Sequence, residues 1–234
     1  MESDVRLAYT ERGTGLPLVL LHGNGENREY FHSQMEPFSA CFRVIAVDTR
    51  GHGATPRGRA PFTLAQFAED LRALLDDLGI EKTDLLGYSD GGNIALLFAL
   101  QSPERVRRLV LNGANLCPSG MKWFPWLAID IQYALALALS RLSPKTVRRR
   151  ELLGLMATQP HIRPPALKAL ALPVLVIAGT HDVIRQRHTR EIAHNLKNSH
   201  LVLIRGGHAI AQESPAAFNA AVLAFLTDPP GALV

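Results

Sequence analysis

The segment GYSDG at 87–91 sets a serine and a carboxylate between glycines, between the apolar run that ends at Tyr88 and the one that begins at Ile94. The pattern G-x-S-x-G at a strand-to-helix junction raises a serine hydroxyl above a sheet as a nucleophile. Such a turn is sharp, so the residues two positions either side of Ser89 must be small, as Gly87 and Gly91 are. A nucleophilic serine needs a base, and the base needs an acid to orient it. VIAGTHDVI puts Asp182 just past one strand candidate, and VLIRGGHAI puts His208 just past the next. The catalytic set read here is therefore Ser89, Asp182 and His208, and its chemistry is acyl transfer. His181 adjoins Asp182 and would point away from it, while His200 opens a strand and so lies at the opposite edge.

Acyl transfer also needs donors for the oxyanion, each worth about 2.7–4 kcal/mol of barrier. The backbone N–H of Asp90, next after the nucleophile, supplies one. The loop LLHGNGEN at 20–27 supplies the second through the backbone N–H of Asn24, with His22 read as a brace of that loop.

Positioning these groups requires strands that all end at one edge. Short apolar runs at 5–10, 17–23, 42–48, 83–88, 106–113, 172–179 and 200–206 alternate with helix candidates at 28–38, 64–78, 90–101, 185–196 and 214–226. That alternation predicts a mostly parallel sheet of about seven strands covered by helices on both faces. It breaks once, at 115–165, where two helical stretches at about 122–141 and 144–157 stand among prolines. This predicts a small helical lid over the ligand-binding edge, inserted into a core formed by 1–114 and 166–234. In the lid, Trp123, Phe124, Trp126, Leu127 and Tyr133 have two readings: walls of an acyl or aryl pocket, with Trp123 and Trp126 as substrate contacts, or the commoner packing against the core.

The chain has 234 residues, 47% hydrophobic, and a formal charge of +4. That composition supports one filled core and excludes a disordered chain. The basic clusters VRRRE and ERVRRLV lack the breadth and the aromatics of a nucleic-acid surface, so no nucleic-acid partner is expected. Ser89, Asp182 and His208 suffice for the chemistry and no metal-ligand cluster stands in the sequence, so no metal or other cofactor is expected; Cys41 and Cys117 stand in no metal or redox spacing, and two free thiols fit a reducing, cytoplasmic setting. MESDVRLAYT lacks the regions of a signal peptide. WLAIDIQYALALAL is too short and too polar to span a bilayer, so no membrane partner is expected either. The oligomeric state is left open.

Taken in order, LPLVLLHGNGEN, VIAVDTRGHGAT, the GYSDG turn, LPVLVIAGTHDVI and GGHAIAQESP resemble the α/β-hydrolase superfamily over nearly the whole chain. The resemblance implies that fold, with one strand fewer than the usual eight, and a role for DTRGHG (48–53) that is mainly structural. Dehalogenases and epoxide hydrolases of the superfamily carry aspartate where Ser89 stands, so the resemblance is to the serine branch. GYSDGG with NGAN after the next strand is similar to valacyclovir hydrolase-like and bacterial carboxylesterase-like members. That likeness implies that Asp90 recognises the ammonium of an aminoacyl ester; the alternative is a carboxylate favoured by the helix N-terminus. The expected function is hydrolysis of small carboxylic esters. The alternatives are a ligand-binding or regulatory protein that keeps the shell, and C–C bond or peracid chemistry on the same triad.

Overall fold

A computed structural model describes residues 3–139 and 143–228. In chain order the elements are β1 (Tyr9–Arg12), β2 (Pro17–Leu21), α1 (His32–Ser39), β3 (Arg43–Val47), α2 (Leu64–Asp77), β4 (Thr83–Tyr88), α3 (Asp90–Gln101) and β5 (Val106–Asn112). Then come α4 (Trp123–Leu139), α5 (Pro144–Thr158), β6 (Val174–Gly179), α6 (Gln186–Asn195), β7 (Ser199–Ile204), α7 (Ile210–Glu213) and α8 (Pro215–Thr227).

The seven strands form one sheet in the order β1-β3-β2-β4-β5-β6-β7. All neighbours are parallel except β1, which runs antiparallel to β3. Alternate residues of each central strand enter opposite cores, as period-two geometry requires. Val19, Leu21, Ile45, Leu85, Leu109 and Val176 pack beneath α2, α3 and α6. Leu18, Leu20, Val44, Leu86, Val110 and Ile177 pack beneath α1 and α8.

Three expectations shift. The first strand begins at Tyr9, not at residue 5, and its four residues are exposed at the sheet edge. The helix expected at 28–38 splits into a 3-10 turn over Arg28–Phe31 and α1. The apolar residues of α4 do not pack into the core as their spacing suggested: of its 17 residues only Ala136 is buried. The two helices after β5 pack on each other and are tied to the C-terminal end of the sheet. Met121 bridges Ile184, Lys122 N–H donates to Val183 O (2.8 Å), and Arg185 N–H donates to Gly120 O (2.9 Å). The expected end of the first of these helices, at 140–141, lies outside the described residues.

Candidate active site

Ser89 stands between β4 and α3 with φ 53° and ψ −119°, the one non-glycine residue with positive φ among those described. That backbone is strained for an L-residue, and its surroundings hold it. Ser89 N–H donates to Asn112 O of β5 (2.8 Å), and Asn93 N–H donates back to Ser89 O (3.1 Å). A Cβ on Gly87 would strike the Gly91 carbonyl, and one on Gly91 would strike the Leu21 carbonyl of β2. The glycines at those two positions are therefore steric requirements.

The three residues expected to act together are together. Ser89 Oγ lies 3.0 Å from His208 Nε2, and His208 Nδ1 lies 2.7 Å from Asp182 Oδ1. Asp182 is buried at the end of β6, where its Oδ1 also accepts from Ile184 N–H (2.8 Å). A proton on Nδ1 fits this contact, since the carboxylate there is an acceptor; Nε2 is then free to accept from the serine hydroxyl. The Tyr88 ring lies tilted against His208 at 5.0 Å, and Tyr30 stacks on Tyr88 at 4.2 Å. The rejected rivals are elsewhere: His181 is exposed and turned to Thr180, and His200 lies within β7.

Asn24 and Asp90, the expected oxyanion donors, both line the cavity that holds Ser89 and His208. Asp90 opens α3, where a first-turn N–H has no intrahelical acceptor. The loop carrying Asn24 is braced by two neutral imidazoles. His22 Nδ1–H donates to Gly23 O (2.7 Å) while its Nε2 accepts from Thr49 N–H (3.1 Å). His52 Nε2 accepts from Gly25 N–H (3.1 Å), its Nδ1 lying 2.9 Å from Arg50 O. Burial holds the His22 pKa down at about 4 and lowers that of His52. His22 is thus a brace, as its place in the loop suggested.

The Asp90 side chain is 7% exposed, and both of its oxygens are held by amides. Oδ2 accepts from Asn24 Nδ2 (2.9 Å) and Oδ1 from Asn93 Nδ2 (3.2 Å). Asn93 is fixed in turn by Asn115 of the NGAN segment, through Nδ2–Oδ1 and N–Oδ1 contacts of 3.0 Å each. Asn24 Nδ2 also donates to Leu152 O of α5 (2.8 Å). One side chain therefore joins the loop at 20–27, the β4–α3 turn and α5. Burial raises the Asp90 pKa, opposed by the two amides.

The cavity measures about 250 Å³. Its apolar wall comes from Met121, Pro125, Ile129, Met156, Val183 and Ile184. Trp123 and Trp126, expected as substrate contacts, are not on it; they are 71% and 38% exposed on the outer side of α4, while Pro125 and Ile129 face inward. The sequence reading also missed Glu26. Its carboxylate lines the cavity, accepts from Gly23 N–H (3.2 Å) and has its pKa raised by burial. Its only signal was its place one residue beyond the glycine pair of the loop. The cavity lining includes two carboxylates and no lysine or arginine. No group of three or more His, Cys, Asp or Glu among the described residues is arranged to hold a metal ion.

A family profile described as alpha/beta hydrolase fold matches residues 17–139. A putative carbamate hydrolase, RutD, of Caulobacter sp. (strain K31) is 29% identical over 245 residues, covering 90% of each chain. A hydrolase from Pseudomonas aeruginosa PA01, known by its crystal structure, is 30% identical, superposes with a TM-score of 0.78, and shares 97% of both chains. An uncharacterized protein of Mycobacterium tuberculosis is 37% identical over 110 residues, 47% of this chain; that match spans about a third (32%) of the relative's length.

Proposed function

The chain belongs to the α/β-hydrolase family, and on that footing we propose that it hydrolyses small carboxylic esters, aminoacyl esters among them, through an acyl-enzyme on Ser89. The observation that carries this reading is the continuous hydrogen-bonded line Ser89–His208–Asp182, with separations of 3.0 and 2.7 Å. In the first step His208 Nε2 accepts the hydroxyl proton as Ser89 Oγ attacks the ester carbonyl. The Asp182 carboxylate holds the imidazole tautomer and stabilises the imidazolium that forms. Negative charge on the carbonyl oxygen is taken by the Asn24 and Asp90 N–H groups. His208 Nε2–H then protonates the leaving alkoxide, freeing the alcohol. Water, deprotonated by the same nitrogen, attacks the acyl-enzyme, and His208 returns that proton to Ser89 Oγ as the acid leaves.

Asp90 supports the aminoacyl part of the reading. A buried carboxylate at the cavity wall, with amides but no cation beside it, gains from a substrate ammonium as counter-ion. A carboxylate oxygen accepts more than one hydrogen bond, so the contacts to Asn24 and Asn93 leave acceptor capacity on Asp90.

Fluorophosphonate labelling followed by peptide mapping, beside a panel of p-nitrophenyl acyl and aminoacyl esters, tests the proposal. The expected result is a single adduct on Ser89 and ester turnover that falls at least about 10⁴-fold in Ser89→Ala. A folded protein that takes no label, or takes it elsewhere, overturns the assignment.

A further inference from the structure

On the inner side of α4, Pro125 and Ile129 line the catalytic cavity, while Tyr133 and Leu137 line a second cavity of about 330 Å³. These four residues recur at four-residue spacing and so share one face of the helix. That face runs from the first cavity to the second over about 18 Å. Helix α5 supplies the facing wall. Met156 lines the catalytic cavity, Arg150, Glu151 and Thr158 line the second, and Gln159, just past the helix end, lines both. Phe62, from the loop before α2, completes the second cavity. Gly154 is part of its construction: a Cβ there would stand only 3.2 Å from the Tyr133 ring.

The polar groups of the second cavity are short of an acceptor. Glu151 is already held by Arg57, through Nη2 at 2.7 Å and Nε at 3.1 Å, and Arg57 lies over the Phe62 ring. Thr158 Oγ1 donates to Gly154 O (2.7 Å). Gln159 Oε1 accepts from Leu64 N–H (3.0 Å), which fixes the amide and leaves its Nε2 hydrogens to donate. Arg150 is half-buried and has no ion pair or hydrogen bond among the described residues. A guanidinium in open water needs no partner. This one shares a wall with Phe62, Tyr133 and Leu137, where a carboxylate is the ligand its planar fork fits best.

We propose that the second cavity holds the far end of the substrate's leaving alcohol, and that this end carries a carboxylate. This use of the cavity rests on ester hydrolysis at Ser89. In that reading the acyl ammonium goes to Asp90 on the elbow, so the alcohol is the part free to follow α4 past Gln159. An anion is accepted only beyond that residue. The catalytic cavity presents Glu26 and Asp90, whereas the second presents Arg150, with Glu151 neutralised by Arg57. The favoured substrate is therefore a small acyl or aminoacyl ester of an apolar ω-hydroxy acid. Its methylene chain lies along Ile129, Tyr133 and Leu137, and its carboxylate meets Arg150 and Gln159 Nε2.

Binding and turnover, measured separately, test this. Binding of ω-hydroxyoctanoate and of octanol to the full chain is followed by isothermal titration calorimetry, and kcat/KM is compared for the acetate esters of the same two alcohols. The carboxylate-bearing alcohol should bind about tenfold more tightly, and its ester should be favoured by a similar factor, the low end for a charge-assisted hydrogen bond. Both preferences should disappear in Arg150→Gln. Thr158→Trp, which fills the cavity from an exposed position, should weaken binding of both alcohols; thermal melts check that each variant folds. Equal binding of the two alcohols overturns the proposal, as does a carboxylate preference that a folded Arg150→Gln retains or binding that a folded Thr158→Trp leaves unchanged. An Arg150-dependent carboxylate preference in binding, with no turnover of any ester, supports the carboxylate site and overturns ester hydrolysis at Ser89 instead.

Discussion

Charge in the cavity is the residue-scale property that most narrows the substrate. Glu26 and Asp90 line it with no lysine or arginine beside them, so an acyl group bearing a carboxylate meets repulsion and one bearing an ammonium meets a partner. In a matched series of p-nitrophenyl esters, the ammonium member should be favoured and the carboxylate member disfavoured. Asp90→Asn should cut kcat/KM for the ammonium ester by about ten- to a hundredfold more than for the neutral one, the range of a charge-assisted hydrogen bond. The neutral ester should also slow, because an amide at 90 presents a donor to either Asn24 or Asn93, both of which now donate to it. Equal losses on both esters would leave Asp90 only as the clamp on Asn24. Glu26→Gln should raise the carboxylate ester on the order of tenfold. Ser89, Asp182 and His208 were legible in the sequence because each belongs to a local pattern at the end of a strand. Glu26 belongs to none: its role arises where its loop folds back over Tyr88, a contact that no spacing along the chain encodes.

At the scale of elements, the β4–α3 elbow concentrates the strain and the close approaches that the nucleophile needs. Gly91→Ala drives a methyl into the Leu21 carbonyl of β2, a backbone atom at the centre of the sheet that cannot yield. Gly92→Ala meets only the Ala114 methyl, at 3.0 Å, together with the Gly87 carbonyl at the same distance. Gly91→Ala should therefore abolish turnover and lower Tm by several degrees, while Gly92→Ala should fold and keep part of the activity; thermal melts beside ester assays check both. The elbow and the central strands were readable because burial on both faces leaves an unbroken apolar run, as in LVLL and VLVIA. The bounds and the antiparallel direction of β1, and the exposed side of α4, were not. The four residues of β1 are all exposed, so they carry no apolar pattern. Helix α4 is apolar on both its sides, and periodicity finds a buried side only by contrast with a polar one.

Across the whole molecule, burial has set several titrating groups against protonation, and their signs predict how stability follows pH. His22, His52 and His188 all have lowered folded pKa values, burial being the largest cause in each. Between the ordinary 6.5 and the lowered value the unfolded chain binds more protons than the folded one, so stability falls as pH falls through that window. For His22, held near 4, the loss on going from pH 7 to pH 5 is about 2 kcal/mol. In a chain of this size that corresponds to a Tm lower by about 4–8 °C. Glu26, Asp84 and Asp90 act in the opposite sense, since their raised pKa values let the folded state bind protons first as the pH drops below their folded values. The histidines thus lower stability as the pH falls below their ordinary 6.5, and the carboxylates offset part of that loss. Thermal melts from pH 7.5 to 5 should show this fall, and His22→Gln/His52→Gln should flatten it. Glutamine keeps an acceptor for the Thr49 and Gly25 N–H groups, now held by the two imidazoles, and removes the titration. A double variant as steep as the parent would move the origin of the slope away from the two imidazoles that brace the loop at 20–27. A flat parent would mean that the buried carboxylates offset the histidines across the whole range.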